Sequence, residues 1–196
     1  MHTKLVRYVR VAALSAALGL ATPVLAVPIP LDTFLQFSFT DAGVLATGCQ
    51  PNDPVGDFCV PSSGTPTEFL GAAPWTFVAP VAGAFLTVVD AFVAGEQFEI
   101  FDLGVSLGLT SAPVGVGDCG DDPAACLADP NMSRGIFALL AGDHSITITP
   151  TLSPGGSGSG YLQVQQIPVP PSLALLAGGL LGLYGWRRAE GRGLMA

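Results

Sequence analysis

Between residues 27 and 166 the apolar residues come in runs of five to nine, and almost every run is closed by Gly, Pro or Asp. Runs that short fall below the ten to twelve residues a packed helix usually needs, whereas they match the ordinary length of a strand. The whole chain of 196 residues holds 25 Gly and 17 Pro, is 49% apolar and only 11% charged. Such a chain is too apolar to stay disordered and too often interrupted to be helical. The expected class is all-β, with room for one domain.

The predicted strands are Phe34–Thr40, Trp75–Ala79, Ala84–Phe92, Gln97–Leu103, Val105–Thr110, Gly135–Leu140, Ser145–Thr149 and Tyr161–Gln166. Alternation is clearest in SITIT, which turns Ile146 and Ile148 inward, and in YLQVQ, which turns Leu162 and Val164 inward. Ala94-Gly95-Glu96 and Asp102-Leu103-Gly104 carry residues suited to tight hairpins. The stretch Gly155–Gly160 reads as a mobile hairpin loop between the last two strands, because too little chain follows it for a second domain. Together these predict two packed antiparallel sheets of about four strands each, a β-sandwich of jelly-roll or related type.

Charge is distributed unevenly. Six of the seven basic residues, Lys4, Arg7, Arg10, Arg187, Arg188 and Arg192, lie near the two ends. From Val27 to Pro171 only Arg134 opposes eleven Asp and three Glu, a formal excess of thirteen negative charges. Phosphate backbones would be repelled, which argues against nucleic acid as a partner.

The first 26 residues have the order of an export signal. A basic region (Lys4, Arg7, Arg10) precedes the apolar core Val11–Ala21, and Val24-Leu25-Ala26 supplies small residues for cleavage between Ala26 and Val27. A retained N-terminal anchor is the competing reading, and the short core interrupted by Thr22 and Pro23 disfavours it. At the other end, Ile167–Pro171 (IPVPP) cannot continue a helix or a central strand and is expected to be a stiff, extended spacer. Fifteen uncharged residues follow, Ser172–Trp186, and then Arg187 and Arg188. A bilayer is usually spanned by about 20 apolar residues, so this helix would be a short transmembrane segment with its basic end on the cytoplasmic side.

A Pro motif, a Gly/Leu-rich stretch LALLAGGLLGLYGW and a terminal arginine cluster, in that order, resemble the PEP-CTERM sorting signal of Gram-negative bacteria. The resemblance covers 167–196, with Pro168, Pro170 and Pro171 as the motif, and Val169 where the family has Glu. It implies export by the general secretion machinery, a transient hold in the inner membrane, and processing by an exosortase near the motif. The released domain, 27–166, would then sit at the cell surface or in an extracellular matrix, associated with exopolysaccharide and biofilm. An unprocessed C-terminal anchor is the alternative. The segment FLTVVDAFVAGEQFEIFDLGVSLGLTSAP is also similar to segments of small secreted β-sandwich proteins, some of them CUB-like.

Four cysteines remain after the signal: Cys49, Cys59, Cys119 and Cys126. An even number in an exported chain points to two disulfides, and the local spacing favours Cys49 with Cys59 and Cys119 with Cys126, the other two connectivities staying open. Zinc is the rival use of these cysteines, but the spacings are poor for it and no His lies near either pair.

His144 is the only histidine beyond the signal, beside Asp143 and without a G-x-S-x-G elbow anywhere, so a structural role is expected of it. No catalytic residue is assigned and the expected function is not enzymatic. Two carboxylate groups remain: Asp118, Asp121, Asp122 and Asp129 around the second cysteine loop, and Asp90, Glu96, Glu99 and Asp102 near the first expected hairpin. Hard oxygen ligands on loops suit calcium, which makes the first group a weak calcium site, although the EF-hand pattern is absent; solvated acidic loops are the plainer account. A carbohydrate- or calcium-dependent binding module, an adhesin, is the second functional reading. A glycan hydrolase working through paired carboxylates comes third, because aromatics are few and Trp75 lies in a pattern that buries it.

Overall fold

The computed structural model describes residues 27–168. Outside the described residues lie the expected signal 1–26 with Ala26, three of the Pro-motif residues (Val169, Pro170, Pro171), the apolar run 172–186, and Arg187 and Arg188. Among the described residues no helix is long and apolar enough to cross a membrane.

The described chain is all-β with one short helix. In order it forms β1 (Val27–Pro28), β2 (Phe34–Phe39), β3 (Cys49–Gln50), β4 (Asp57–Phe58), β5 (Thr67–Phe69), β6 (Trp75–Ala79), β7 (Ala84–Asp90), β8 (Phe92–Val93), β9 (Gln97–Asp102) and β10 (Val105–Leu109). Then come β11 (Asp118–Gly120), α1 (Pro123–Ala128), β12 (Arg134–Leu139), β13 (Gly142–Leu152) and β14 (Gly158–Gln166). One five-stranded sheet has the order β1-β6-β13-β9-β10 and the other β12-β7-β14-β2-β5. Two-stranded ladders β3/β4 and β8/β11 lie beside them. Most pairs are antiparallel, but β1 runs parallel to β6 and β5 parallel to β2, so both sheets are mixed rather than purely antiparallel. Each parallel partner has only two or three residues, too few for the sequence pattern to reveal.

The alternating runs behave as read. Ile146 and Ile148 on β13, and Leu162 and Val164 on β14, are fully buried in the main core. Aromatic rings join the sheets: Phe37 on β2 sits 5.9 Å from Trp75 on β6 and edge-on to Phe98 on β9 at 5.4 Å, and Phe39 is edge-on to Phe98 at 5.6 Å. Such pairs stabilise by about 0.5–1.5 kcal/mol each beyond the area they bury. Trp75 is buried and its Nε1 donates to the Gly71 carbonyl at 2.8 Å.

Two expected hairpins are instead crossovers. β13 belongs to one sheet and β14 to the other, and so do β9 and β7, so residues 153–157 and 91–96 carry the chain between sheets. Turn residues mark a change of direction and do not specify the sheet the chain enters next. Nor is Gly155–Gly160 wholly a loop. Gly158 and Gly160 lie in β14 opposite Phe39 and Phe37, whose rings lie so close that a Cβ on either glycine would run into them. Only the expected turn at Leu103-Gly104 is a hairpin, joining β9 to β10 with both residues at positive φ (50° and 79°), as a two-residue turn of this hand requires.

The disulfides are Cys49–Cys59 and Cys119–Cys126. The second staples β11 to α1, whose N-terminus is capped by Asp122 accepting from the Ala124 amide at 3.0 Å, with Pro123 at the first helical position. This unit covers the outer face of the second sheet. Cys126 packs with Phe34, Val89, Ala91, Met132 and Tyr161 in a small second core.

Candidate functional site

At the end of the sandwich where β7 and β13 finish, a cleft of about 370 Å³ opens between the 91–96 crossover on one side and the 153–157 crossover with the start of β14 on the other. Its walls are small: Ala91, Ala94, Gly95, Gly155 and Gly158 contribute mostly backbone, with Phe92, Glu96, Ser157 and Ser159 the side chains that give it chemistry. Phe92 is half-buried with φ 61°, a conformation costly for a bulky residue, and is held there by the β8/β11 ladder, in which it pairs with Gly120.

Beneath the cleft the fully buried Asp90 ties the crossover together. Its Oδ1 accepts from the Ala91 amide at 2.9 Å, and its Oδ2 accepts from the Gly95 and Glu96 amides, both at 3.2 Å. Burial, then the charge of Glu96, pushes the Asp90 carboxyl up to about 8. Glu96 is raised as well, chiefly by its own burial, while its hydrogen bond with Asp90 acts the other way. The fold thus favours the protonated form of Asp90, which relieves the repulsion between the two carboxyls. Perturbed carboxyls in a cleft are a common mark of a functional site. Two carboxyls in direct hydrogen-bond contact lack the separation of about 5–10 Å that glycosidase acid/base pairs need.

The remaining carboxylates of that group lie elsewhere. Glu96 and Asp102 are separated by the length of β9, about 20 Å at strand spacing. Glu99 accepts from Ser106 Oγ at 2.7 Å. Asp102 faces His144: Nδ1 of the imidazole lies 2.7 Å from Oδ2, and Oδ1 accepts from the Ser145 amide at 3.0 Å. The other imidazole nitrogen, Nε2, donates to the Leu140 carbonyl at 2.9 Å, and the ring stacks on Phe77. Asp143, the sequence neighbour, takes no part in this contact.

The four weak calcium candidates are each engaged locally. Asp118 accepts from the Gly120 amide, Asp129 from the Asn131 amide and side chain, Asp122 caps α1, and Asp121 accepts from Ser63 Oγ at 2.6 Å. Among the described residues no three His, Cys, Asp or Glu side chains gather as a metal ion requires. Hydrogen bonds from Thr65 lower the Asp122 carboxyl below the usual range. Further bonds tie the segment that follows the first disulfide to the second disulfide loop, with Ser63 on Asp121 and the Thr65 amide on Asp122 at 3.1 Å. Tyr161 completes the junction by donating to the Asp121 carbonyl at 2.9 Å, and burial, followed by the charges of Asp121 and Asp122, pushes its hydroxyl up to about 12.

Sequence reasoning placed Asp90 and Glu96 in one group but missed the cleft, because its second wall comes from a crossover some 60 residues later. Phe92 was read as the end of a strand, and nothing in its own neighbourhood signals a positive φ. Comparison with family models, with curated proteins and with solved structures finds no match to this chain.

Proposed function

We propose that the chain is an exported, non-catalytic protein of the cell surface or extracellular matrix, carried out by the general secretion machinery and held briefly at the inner membrane before an exosortase processes its tail. The observation that carries this reading is where the chain leaves the fold. The last buried residue of β14 is Val164, and Pro168 is exposed beyond the end of the strand, so cutting at 168–171 would remove the tail without disturbing the core. At the other end the Val27 amide donates to the Pro74 carbonyl at 3.1 Å, so the residue expected to follow signal cleavage is held in the sheet. Two local disulfides suit an oxidising compartment. The two-sheet arrangement is compatible with a jelly-roll or CUB-like sandwich, and association with exopolysaccharide follows from the tail. Intact-mass measurement of surface-recovered protein, from cells with and without the exosortase, tests the reading. Species starting at Val27 and ending within 168–171 only when the enzyme is present are expected; surface protein still carrying Trp186 and Arg187 overturns it.

The cleft at the far end favours a second reading, a carbohydrate- or calcium-dependent binding module. A half-exposed ring at Phe92, the Glu96 carboxyl and two serines around 370 Å³ suit a small polar ligand. Specific hits on a glycan array that are lost on Phe92→Ala would select this reading, and silence across the array would select the purely structural one.

A further inference from the structure

The tail leaves the sandwich at the end opposite the cleft, and that end has an apolar rim. Two crossovers form it side by side: residues 80–83 join β6 to β7, and residues 140–141 join β12 to β13. Ala84 pairs with both Leu139 and Gln166, and the Ile167 amide donates to the Gly83 carbonyl at 3.3 Å, so both crossovers adjoin the departing chain. At their tips Val81 is 98% exposed and Leu140 85% exposed. Three acids lie near this end, Asp32, Asp143 and Asp102, the last linked to the Leu140 carbonyl through His144. Asp32 accepts from the Gln166 amide, and Asp143 pairs opposite Val78.

Single exposed aliphatic residues are common and need no partner. What sets these two apart is the length of chain beyond them. From Pro168 to Ser172, the first residue of the apolar run, there are four residue steps, which reach at most about 14 Å. The polar layer on each side of a bilayer is about 5–8 Å deep. A tether that short keeps this end of the domain within about 6–9 Å of the headgroup surface, near enough to rest on it.

We propose that Val81 and Leu140 rest in the headgroup layer of the membrane that holds the tail, so that the unprocessed protein stands on this rim with its cleft directed away from the lipid. The proposal rests on the reading of 172–186 as a membrane segment. Zwitterionic lipid is the matching surface, because the acidic domain is repelled by anionic headgroups.

The test uses the full chain reconstituted in phosphatidylcholine vesicles, with an environment-sensitive fluorophore on a single added cysteine: Val81→Cys, Leu140→Cys, Ser157→Cys at the cleft, or Leu183→Cys in the tail. Lipids brominated near the headgroup end of the acyl chain quench a probe that reaches them. Quenching at 81 and 140 at least twofold stronger than at 157, together with quenching at 183, is the expected result. Quenching at 183 with none at 81 and 140, or equal quenching at 81, 140 and 157, overturns the proposal while leaving the tail in the membrane. No quenching at 183 overturns the membrane reading of the tail and the proposal with it.

Discussion

His144 on β13 reaches across to Asp102 at the end of β9, its Nδ1 2.7 Å from the carboxylate, while its Nε2 donates to the Leu140 carbonyl. Both ring nitrogens thus face acceptors, and the imidazole joins the β9 hairpin to the crossover before β13. Replacing it leaves two part-buried acceptors without a partner, which costs about 1–3 kcal/mol. His144→Ala is expected to lower stability by about 2 kcal/mol. Asp102→Asn should cost less, because the amide oxygen still accepts from the Ser145 amide. Urea unfolding of the two variants checks the order; equal or reversed losses would remove the bond from any role in holding the fold.

The Asp90–Glu96 pair gives stability a pH dependence of defined sign. Unfolded, Asp90 ionises near 3.8; folded, it does so near 8. The folded state therefore holds more protons between these values, and the contribution is fully present below about pH 4 and is lost as pH rises through about 8. Glu96→Gln removes the neighbouring charge that supports this shift, so its urea midpoint should fall less steeply than that of the parent between pH 4 and 8. Parallel curves for the two proteins would mean that the carboxyls do not interact.

Gln36 is fully buried on the outer face of β2, and neither atom of its amide has a hydrogen-bond partner. The first disulfide loop lies over this strand, with Ser38 Oγ donating to the Gly48 carbonyl at 2.6 Å and accepting from the Asp57 amide at 3.1 Å. An orphaned buried amide costs about 1–3 kcal/mol. Gln36→Leu, of similar size, is expected to raise stability by about 1 kcal/mol in urea unfolding, and Gln36→Glu to lower it by more than that. A destabilised Leu variant would show that the amide has a partner in solution.

The sequence was readable where chemistry is local. SITIT and YLQVQ announce their inward faces because alternation is a property of one strand alone, and Leu103-Gly104 announces a hairpin because its neighbours pair with each other. Pairing between distant segments was not readable. FLQFSF looks like a strand with one buried face, yet all six residues are buried, since the disulfide loops and α1 lie on the side expected to meet water. The same distance hid the partner of His144, which is 42 residues away on β9 and not the adjacent Asp143. Gly158 and Gly160 read as flexible because the rings that fill their missing side chains belong to β2, over a hundred residues earlier.

The position of β14 delays closure of its sheet until the end of the described chain is present. Although it is the last strand of the described chain, it lies in the middle of its sheet, between β7 and β2. Until Gly158–Gln166 has emerged, those two strands have nothing to join them and the barrier to closing the sheet stays high. On the proposed export route the polypeptide would thus stay slack during passage and set only when Gly158–Gln166 arrives.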